Sequence, residues 1–227
     1  MRVLTRNVLV GMVIAAGATV SMPSAYASAT AETRTTLTVT SHDSPPPAGE
    51  AVYLRAAVKP VSGGAAATGT VTFLDGGQVL GTAPLAADPG KTPVAHISHV
   101  FSAGDHSLSA RYQGDTSHAS SQSLPTPLHV GKAASRIVLS EVMAVKPAGT
   151  WNVVAAVKPA KAGLGIVASG TVTFTVDSFA PQTFALNDKG RAHLNLPLSR
   201  GGHSVRVSYS GDNDLQPSTA TDTFTVA

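Results

Sequence analysis

Apolar and polar residues alternate along many short segments of this chain. The clearest segment, GDHSLSARYQGD at Gly104–Asp115, returns as GGHSVRVSYSGD at Gly201–Asp212. Both copies place apolar residues at every second position and end in Tyr-x-Gly-Asp. Alternation with a period of two is typical of a β-strand with one buried face, and Gly-Asp is typical of a turn. The pattern therefore predicts two copies of one β-rich unit.

Further segments repeat at a similar offset. AAVKP occurs at Ala56–Pro60 and at Ala155–Pro159, and GTVTF occurs at Gly69–Phe73 and at Gly170–Phe174. Each unit holds about seven strand signals separated by turns, which is the pattern of an antiparallel β-sandwich. The chain is therefore predicted to be all-β, with two tandem antiparallel β-sandwiches.

The repeats also indicate the domain boundaries. We predict a first domain at 35–130, a short linker at 131–134 and a second domain at 135–227. The last strand of the first domain, Ser123–Val130, contains two prolines, so it is predicted to be an edge strand or to be interrupted. A short linker favours an elongated pair of domains with limited bending between them.

The N-terminus has the pattern of an export signal. Arg2 and Arg6 precede an apolar run at Val8–Val20, and the small residues that follow favour cleavage after Ala27 or, alternatively, after Ala29. The apolar run is shorter than the roughly 20 residues of a typical membrane span, which favours cleavage over the competing interpretation of an uncleaved anchor. We therefore predict a signal peptide at 1–27, a flexible lead-in at 28–34 and no membrane insertion after cleavage.

Composition narrows the class of protein further. Aromatic residues make up 5% of the chain and charged residues 13%, which suits short strands joined by turns. There are no cysteines, so each domain must close on its hydrophobic core without disulfides. Removing the predicted leader lowers the formal charge from +3 to +1, because the leader holds two arginines and no acids. A nearly neutral chain without a basic run does not favour a nucleic-acid partner.

The repeated motif contains the residues most open to a functional interpretation. Tyr112 and Tyr209 lie in line with inward-facing residues, so each ring is predicted to be buried with its hydroxyl bonded to backbone, in preference to stacking on a ligand. On that basis Tyr112→Phe is expected to cost about 1 kcal/mol through the lost hydrogen bond.

The Gly-Asp pairs that follow the tyrosines are predicted to be turn residues. Gly114 and Gly211 permit the turn, and Asp115 and Asp212 accept backbone N–H groups. Calcium is the alternative, because Asp212-x-Asp214 places two carboxylates in one loop. Calcium takes six to eight oxygen ligands, which this loop does not supply, so we expect no metal and no cofactor.

Neither the histidines nor the serines form a recognisable catalytic or metal motif. His96 matches His193 and His106 matches His203 across the repeats, but a lone His in a strand is more often a packed or surface residue than a metal ligand. No G-x-S-x-G motif occurs, and the few glutamates are scattered. The sequence therefore favours a protein that is not an enzyme.

With these motifs in view, the chain resembles the bacterial Ig-like repeat family of secreted and surface proteins. The resemblance covers about residues 35–227, and the first unit carries its pattern at Gly69–Gly76 (GTVTFLDG), Gly104-x-His106, Leu108-x-Ala110-x-Tyr112 and Gly114-Asp115. The second unit departs from the pattern where Val176-Asp177 replace Asp75-Gly76. That change leaves open how the second hairpin is built.

The resemblance implies immunoglobulin-like sandwiches and no catalytic residues. It implies a secreted protein, extracellular or associated with the cell surface, that serves as an interaction, adhesion or spacer module. A carbohydrate-binding or accessory module for extracellular polysaccharide is the alternative. The partner is then an extracellular protein or glycan, and we expect a monomer. Loops at the sandwich ends or edge strands are the expected contact surfaces, with Thr219–Val226 the better edge.

Overall fold

The computed structural model describes residues 30–87, 90–145 and 150–226. Every regular element in this part of the chain is a β-strand, and no helix there is long and apolar enough to cross a membrane. The predicted signal peptide at 1–27 lies outside the described residues. Most strands alternate buried and exposed positions, as the period-two pattern predicts.

The first domain is a sandwich of two antiparallel sheets. One sheet has the order β1-β2-β5, and the other has the order β4-β3-β6, with β7 and β8 pairing in succession along the free side of β6. The strands are β1 (Thr33–Thr40), β2 (Ala51–Pro60), β3 (Thr70–Asp75), β4 (Gln78–Pro84), β5 (Val94–Val100), β6 (Gly104–Tyr112), β7 (Ser121–Gln122) and β8 (Thr126–Val130). The proline-containing last strand is thus both interrupted and at an edge, which confirms that prediction.

The second domain repeats this arrangement. One sheet has the order β13-β10-β9 and the other the order β12-β11-β14-β15. Its strands are β9 (Ser135–Val145), β10 (Thr150–Pro159), β11 (Thr171–Val176), β12 (Gln182–Ala185), β13 (Arg191–Pro197), β14 (Gly201–Tyr209) and β15 (Ser218–Val226). The chain is therefore all-β with two tandem immunoglobulin-like sandwiches, as predicted, and β15 is an edge strand.

Inward-facing side chains of the two sheets form one core in each domain. Alternate residues of β2 are buried at 1% exposure or less: Val52, Leu54, Ala56 and Val58. They pack with Phe73 from the opposite sheet, and Phe174 takes the matching place in the second core. Trp151 is half-buried against the second core.

The first strand begins earlier than the alternation predicts. Strand β1 starts at Thr33, so the last two residues of the predicted lead-in at 28–34 belong to the sheet. Just before it, the Ala31 N–H donates to the carbonyl of Ser117 at 2.7 Å, and the Ala31 carbonyl accepts the Ala119 N–H at 2.8 Å. These bonds hold the start of the domain against the loop after β6.

Candidate functional site

The Gly-Asp turn after β6 organises the loops at one end of the first domain. One carboxylate oxygen of Asp115 accepts the backbone N–H groups of Ser117 and His118, each at 2.8 Å. The other oxygen accepts the N–H and the hydroxyl of Thr68, each at 2.8 Å. Burial by itself raises the pKa of Asp115, but the hydrogen bonds from Thr68, Ser117 and His118 hold it well below its usual range. The carboxylate therefore joins the end of β6 to the loop before β3.

Asp212 builds the same junction in the second domain. Its Oδ1 accepts the N–H groups of Asp214 and Leu215 at 2.9 and 2.7 Å, and its Oδ2 accepts the N–H and hydroxyl of Ser169 at 2.8 and 3.0 Å. The Asp214 carboxylate instead accepts the N–H of Ala103, in the first domain, at 2.8 Å. A calcium ion at Asp212 and Asp214, the alternative considered above, would have to displace these donors.

The two motif tyrosines differ from expectation at their hydroxyl groups. Tyr112 is fully buried and Tyr209 is 2% exposed, so both rings belong to the cores. No backbone hydrogen bond of ordinary geometry reaches either buried hydroxyl, and the charged groups that act on the two phenols are the carboxylates of Asp115 and Asp212. The nearby carboxylates already accept several N–H and O–H groups, which leaves little acceptor capacity for the phenols.

Burial nevertheless changes the acidity of both phenols. Burial, together with the Asp115 carboxylate, raises the pKa of Tyr112 to about 12. Burial and Asp212 likewise raise the pKa of Tyr209. Both rings therefore stay neutral at physiological pH and act as apolar core residues that carry an unsatisfied hydroxyl.

A contact between a histidine and an aspartate near the start of β6 was not predicted from the sequence. His106 contacts Asp75 at 2.7 Å through Nδ1 and the Ser102 carbonyl at 3.1 Å through Nε2, and the Ser107 N–H donates to Asp75 at 2.9 Å. Burial lowers the pKa of His106, but the hydrogen bonds to Asp75 and Ser102 outweigh burial and raise it. The imidazole thus holds the β5–β6 connection to the β3–β4 hairpin.

The second domain makes this contact from a different position. His203 contacts Asp177 at 2.6 Å and the Ser199 carbonyl at 2.9 Å, and the hydrogen bond to Asp177 is the main cause of its raised pKa. The strand register places Val176, and not Asp177, at the point that matches Asp75. Asp177 reaches the histidine because it adopts a left-handed backbone with φ of 43°. The left-handed conformation of Asp177 therefore compensates for its shift by one residue relative to Asp75.

These pairs predict a stability maximum in mildly acidic solution. The raised pKa values of His106 and His203 stabilise the fold below about pH 6.5, and this contribution is lost as pH rises through the folded-state pKa. The lowered pKa values of Asp75 and Asp177 stabilise it above about pH 4, and this contribution is lost as pH falls. We expect the Tm measured by calorimetry to be highest between about pH 4.5 and 6.5.

Two matched double variants test this expectation. His106→Gln with His203→Gln should flatten the fall in Tm between pH 6 and 8. His96→Gln with His193→Gln removes two exposed histidines at matching positions of the repeats and should leave that fall unchanged. An unchanged profile in the first double variant would contradict the assignment.

The linker between the domains is bonded to both of them. Gly131 exchanges two backbone hydrogen bonds with loop 46–48 of the first domain, at 2.8 and 2.9 Å. Two residues later, Ala133 exchanges two with loop 214–216 of the second domain, also at 2.8 and 2.9 Å. A linker with its backbone groups satisfied in this way has little freedom to bend.

An ion-pair cluster spans the domain junction. Lys161 of the second domain donates to Asp43 at 2.7 Å and to Glu50 at 2.6 Å, both in the first domain. Glu50 is 8% exposed and also accepts the N–H groups of His42 and Asp43, each at 3.0 Å. The hydrogen bond from Lys161 lowers the pKa of Asp43 to about 2, with a smaller effect of His42, and it lowers the pKa of Glu50. Ligand atoms of His42, Asp43 and Glu50 lie within 4.8 Å of one another, but the ammonium group supplies the cation here.

Apolar packing accompanies the ion pairs. Ile166 packs against the cores of both domains. Gly49 approaches it so closely that a Cβ at this position would lie 2.7 Å from the Ile166 side chain and 3.2 Å from Leu164. Together with the bond from Ala103 to Asp214, these contacts join the two sandwiches through side chains as well as through the linker.

The structure thus defines a tandem of two immunoglobulin-like sandwiches whose side-chain contacts described above lie in the loops and at the junction between the domains. The chain belongs to the bacterial Ig-like domain (group 3) family, whose model matches residues 37–131 and 140–227. A search of curated proteins found no match.

Several solved structures are similar in fold. Fibronectin(III)-like modules of Clostridium thermocellum CbhA are 18% identical, with 81% of this chain and 92% of that chain covered and a TM-score of 0.27. A tetra-tandem repeat in the extending region of a large adhesion protein is 17% identical, with 86% and 50% covered and a TM-score of 0.42. Yersinia pseudotuberculosis adhesin InvE is 15% identical, with 85% and 59% covered and a TM-score of 0.39. All three TM-scores are below 0.5, so these structures do not indicate the function of this chain.

Proposed function

We propose that this protein acts outside the cell as a non-enzymatic spacer and interaction module, in which two Ig-like domains are held in a fixed relation. The observation that carries the proposal is the junction. Its linker is hydrogen-bonded to both domains, and Lys161 bridges Asp43 and Glu50 across them. A freely jointed pair of domains would not need these contacts, whereas a spacer must transmit a fixed distance and direction.

The extracellular location is supported by the leader pattern and by the family. Arg2 and Arg6 followed by an apolar run and small residues are typical of an exported chain. Two domains without cysteines close on hydrophobic cores, so the fold does not depend on the redox state of its compartment. Attachment to a cell surface and the monomeric state belong to the same proposal.

Neutral carbohydrate is the weaker alternative. Recognition of a neutral sugar chain uses several exposed aromatic rings that lie in a row. In the described part of the chain, Tyr53 and Phe179 are the large exposed rings, and they lie in different domains. Phe184 is half-buried against the second core. A stacking surface of that kind is therefore not supported.

The spacer proposal predicts that the two domains tumble as one body. We expect NMR relaxation to give similar rotational correlation times for both domains of the mature protein. Lys161→Gln combined with Ile166→Ser should separate the two correlation times and broaden the distance distribution from small-angle X-ray scattering, because it removes the ionic and the apolar contacts together.

Arg206→Gln is a suitable control, since it removes an exposed cation from the middle of β14, whereas Lys161 and Ile166 lie in the connection between β10 and β11. It should leave the correlation times equal. Independent tumbling of the domains in the unmodified protein would overturn the spacer proposal.

A further inference from the structure

The outward face of the sheet β1-β2-β5 carries cations and hydroxyl groups. Alternation along the strands places Arg34 on β1, Arg55 and Lys59 on β2, and His96 on β5 at exposed positions of this face. The register sets Arg34 opposite Lys59 and sets Arg55 opposite His96. None of the three strands contains an acidic residue. The face is therefore cationic although the mature chain is nearly neutral.

A groove of about 570 Å³ lies on this face. Among the residues that the structure describes, its lining includes the three cations together with Thr36 and Thr92, and no acid. Among the residues that the structure describes, Arg34, Arg55 and Lys59 form no ion pair and no side-chain hydrogen bond, unlike Lys161 at the junction. Glu32, the acid nearest in sequence, precedes β1 and does not line the groove.

The second domain repeats the arrangement. Arg136 on β9 lies opposite Lys158 on β10, and Arg191 and His193 on β13 lie opposite other residues of β10. A cavity of about 320 Å³ is lined by Arg136 and Lys158, and none of its described lining residues is an acid. One cross-strand pair of cations therefore recurs on the equivalent sheet of the second domain, although β9 also contains Glu141 and Val154 stands where the first domain has Arg55.

Neighbouring unpaired cations repel one another and are stabilised by an anion that contacts several of them. Arg34 and Lys59 are cross-strand neighbours, and Arg55 is four residues from Lys59 along β2, a distance of roughly 13 Å. Guanidinium groups bind carboxylates through paired hydrogen bonds, and threonine hydroxyls can bond to sugar hydroxyls. Tyr53, 59% exposed on the same face, offers a ring to a sugar.

We propose that the outward face of β1, β2 and β5 binds a linear acidic polysaccharide, with Arg34, Arg55 and Lys59 contacting its carboxylate groups. The inference rests on the proposed extracellular role and names a partner for it. Nucleic acid fits less well. Tight DNA binding uses on the order of 6–10 phosphate contacts. Single-strand binding stacks successive bases on several aromatic side chains, whereas Tyr53 is the one large exposed ring on this face among the described residues.

Polygalacturonate, an unbranched polymer of uronic acid, is a direct probe. We expect the mature protein to bind it in affinity electrophoresis, to bind more weakly as salt rises, and not to bind neutral dextran. The triple variant Arg34→Gln, Arg55→Gln, Lys59→Gln should weaken binding at least about tenfold, because each lost charge contact contributes on the order of 1 kcal/mol. Arg55→Gln alone should weaken it measurably.

The matched control removes three cations elsewhere, through Arg111→Gln, Arg200→Gln and Arg206→Gln, and should bind as the unmodified protein does. An equal loss in this control, equal or tighter binding of double-stranded DNA, or no binding of polygalacturonate would overturn the proposal. Thermal melting of each variant shows that it is folded. The measurement of rotational correlation times is independent of this test. A protein whose two domains tumble as one body but that does not bind polygalacturonate would refute this inference and leave the spacer proposal unaffected.

Discussion

Tyr112→Ala is expected to destabilise the first domain by about 3–5 kcal/mol, the usual cost of truncating a buried aromatic side chain. The ring is fully buried between the sheets, where its strand pairs with β3 and β7. Removing it opens a cavity in a core that has no disulfide to hold the sheets together. Tyr112→Phe should not destabilise the domain, because the hydroxyl that it removes is buried without a partner.

Amide hydrogen exchange of the first domain measures both variants. Fluorescence of Trp151, the single tryptophan, reports on the second domain and serves as an internal reference. Tyr53→Ala is the matched control, since that ring is 59% exposed and its loss should change stability by less than about 0.5 kcal/mol. A loss of 1 kcal/mol or more of unfolding free energy in Tyr112→Phe would show that the hydroxyl makes the hydrogen bond predicted from the sequence.

Alternation was sufficient to predict the fold because it records burial directly. Along β2 the odd and even residues differ in polarity, and in the structure they differ in burial in the same way. Repeated segments then identify equivalent strands without further assumption, as Gly69–Phe73 and Gly170–Phe174 show in β3 and β11. The prolines near β8 predict its edge position in the same local way, because proline has no N–H group to donate to a neighbouring strand.

Contacts between distant loops could not be predicted in this way. Buried His118 touches Asp115 and the Ala65 carbonyl, whereas the second domain places the buried apolar residue Leu215 at that point in its loop. Nothing in the sequence around His118 distinguishes a packed histidine from a surface one. The left-handed conformation of Asp177 likewise brings it to a partner 26 residues away.

The junction shows the same limit on a larger scale. Lys161 and Glu50 lie 111 residues apart in the sequence, in loops that resemble ordinary solvated connections. Their pairing follows from how the two sandwiches meet, which the short linker restricts but does not specify. Sequence alone therefore indicated limited bending, and the structure supplies the contacts that produce it.

Gly114→Ala is expected to destabilise the first domain strongly, although it adds only one methyl group. Gly114 has a φ of 86°, a left-handed conformation that costs an L-residue about 1–2 kcal/mol. A Cβ there would also lie 2.9 Å from the His118 carbonyl oxygen and 3.1 Å from the Ser120 nitrogen, within the loop that Asp115 organises. Because backbone atoms cannot move aside without breaking those bonds, we expect a total loss of at least about 2 kcal/mol.

Three further glycine variants separate the two causes in denaturant unfolding of the first domain. Gly76→Ala places a methyl group at φ of 55° in open space, so it should show the conformational cost alone. Gly131→Ala meets no neighbour and has no left-handed φ, so it should be nearly neutral. Gly114→Asn, a residue type that tolerates the left-handed region, should still be costly if the contact with the His118 carbonyl dominates. A Gly114→Ala variant no less stable than Gly76→Ala would show that the loop can move and that Asp115 does not hold it in place.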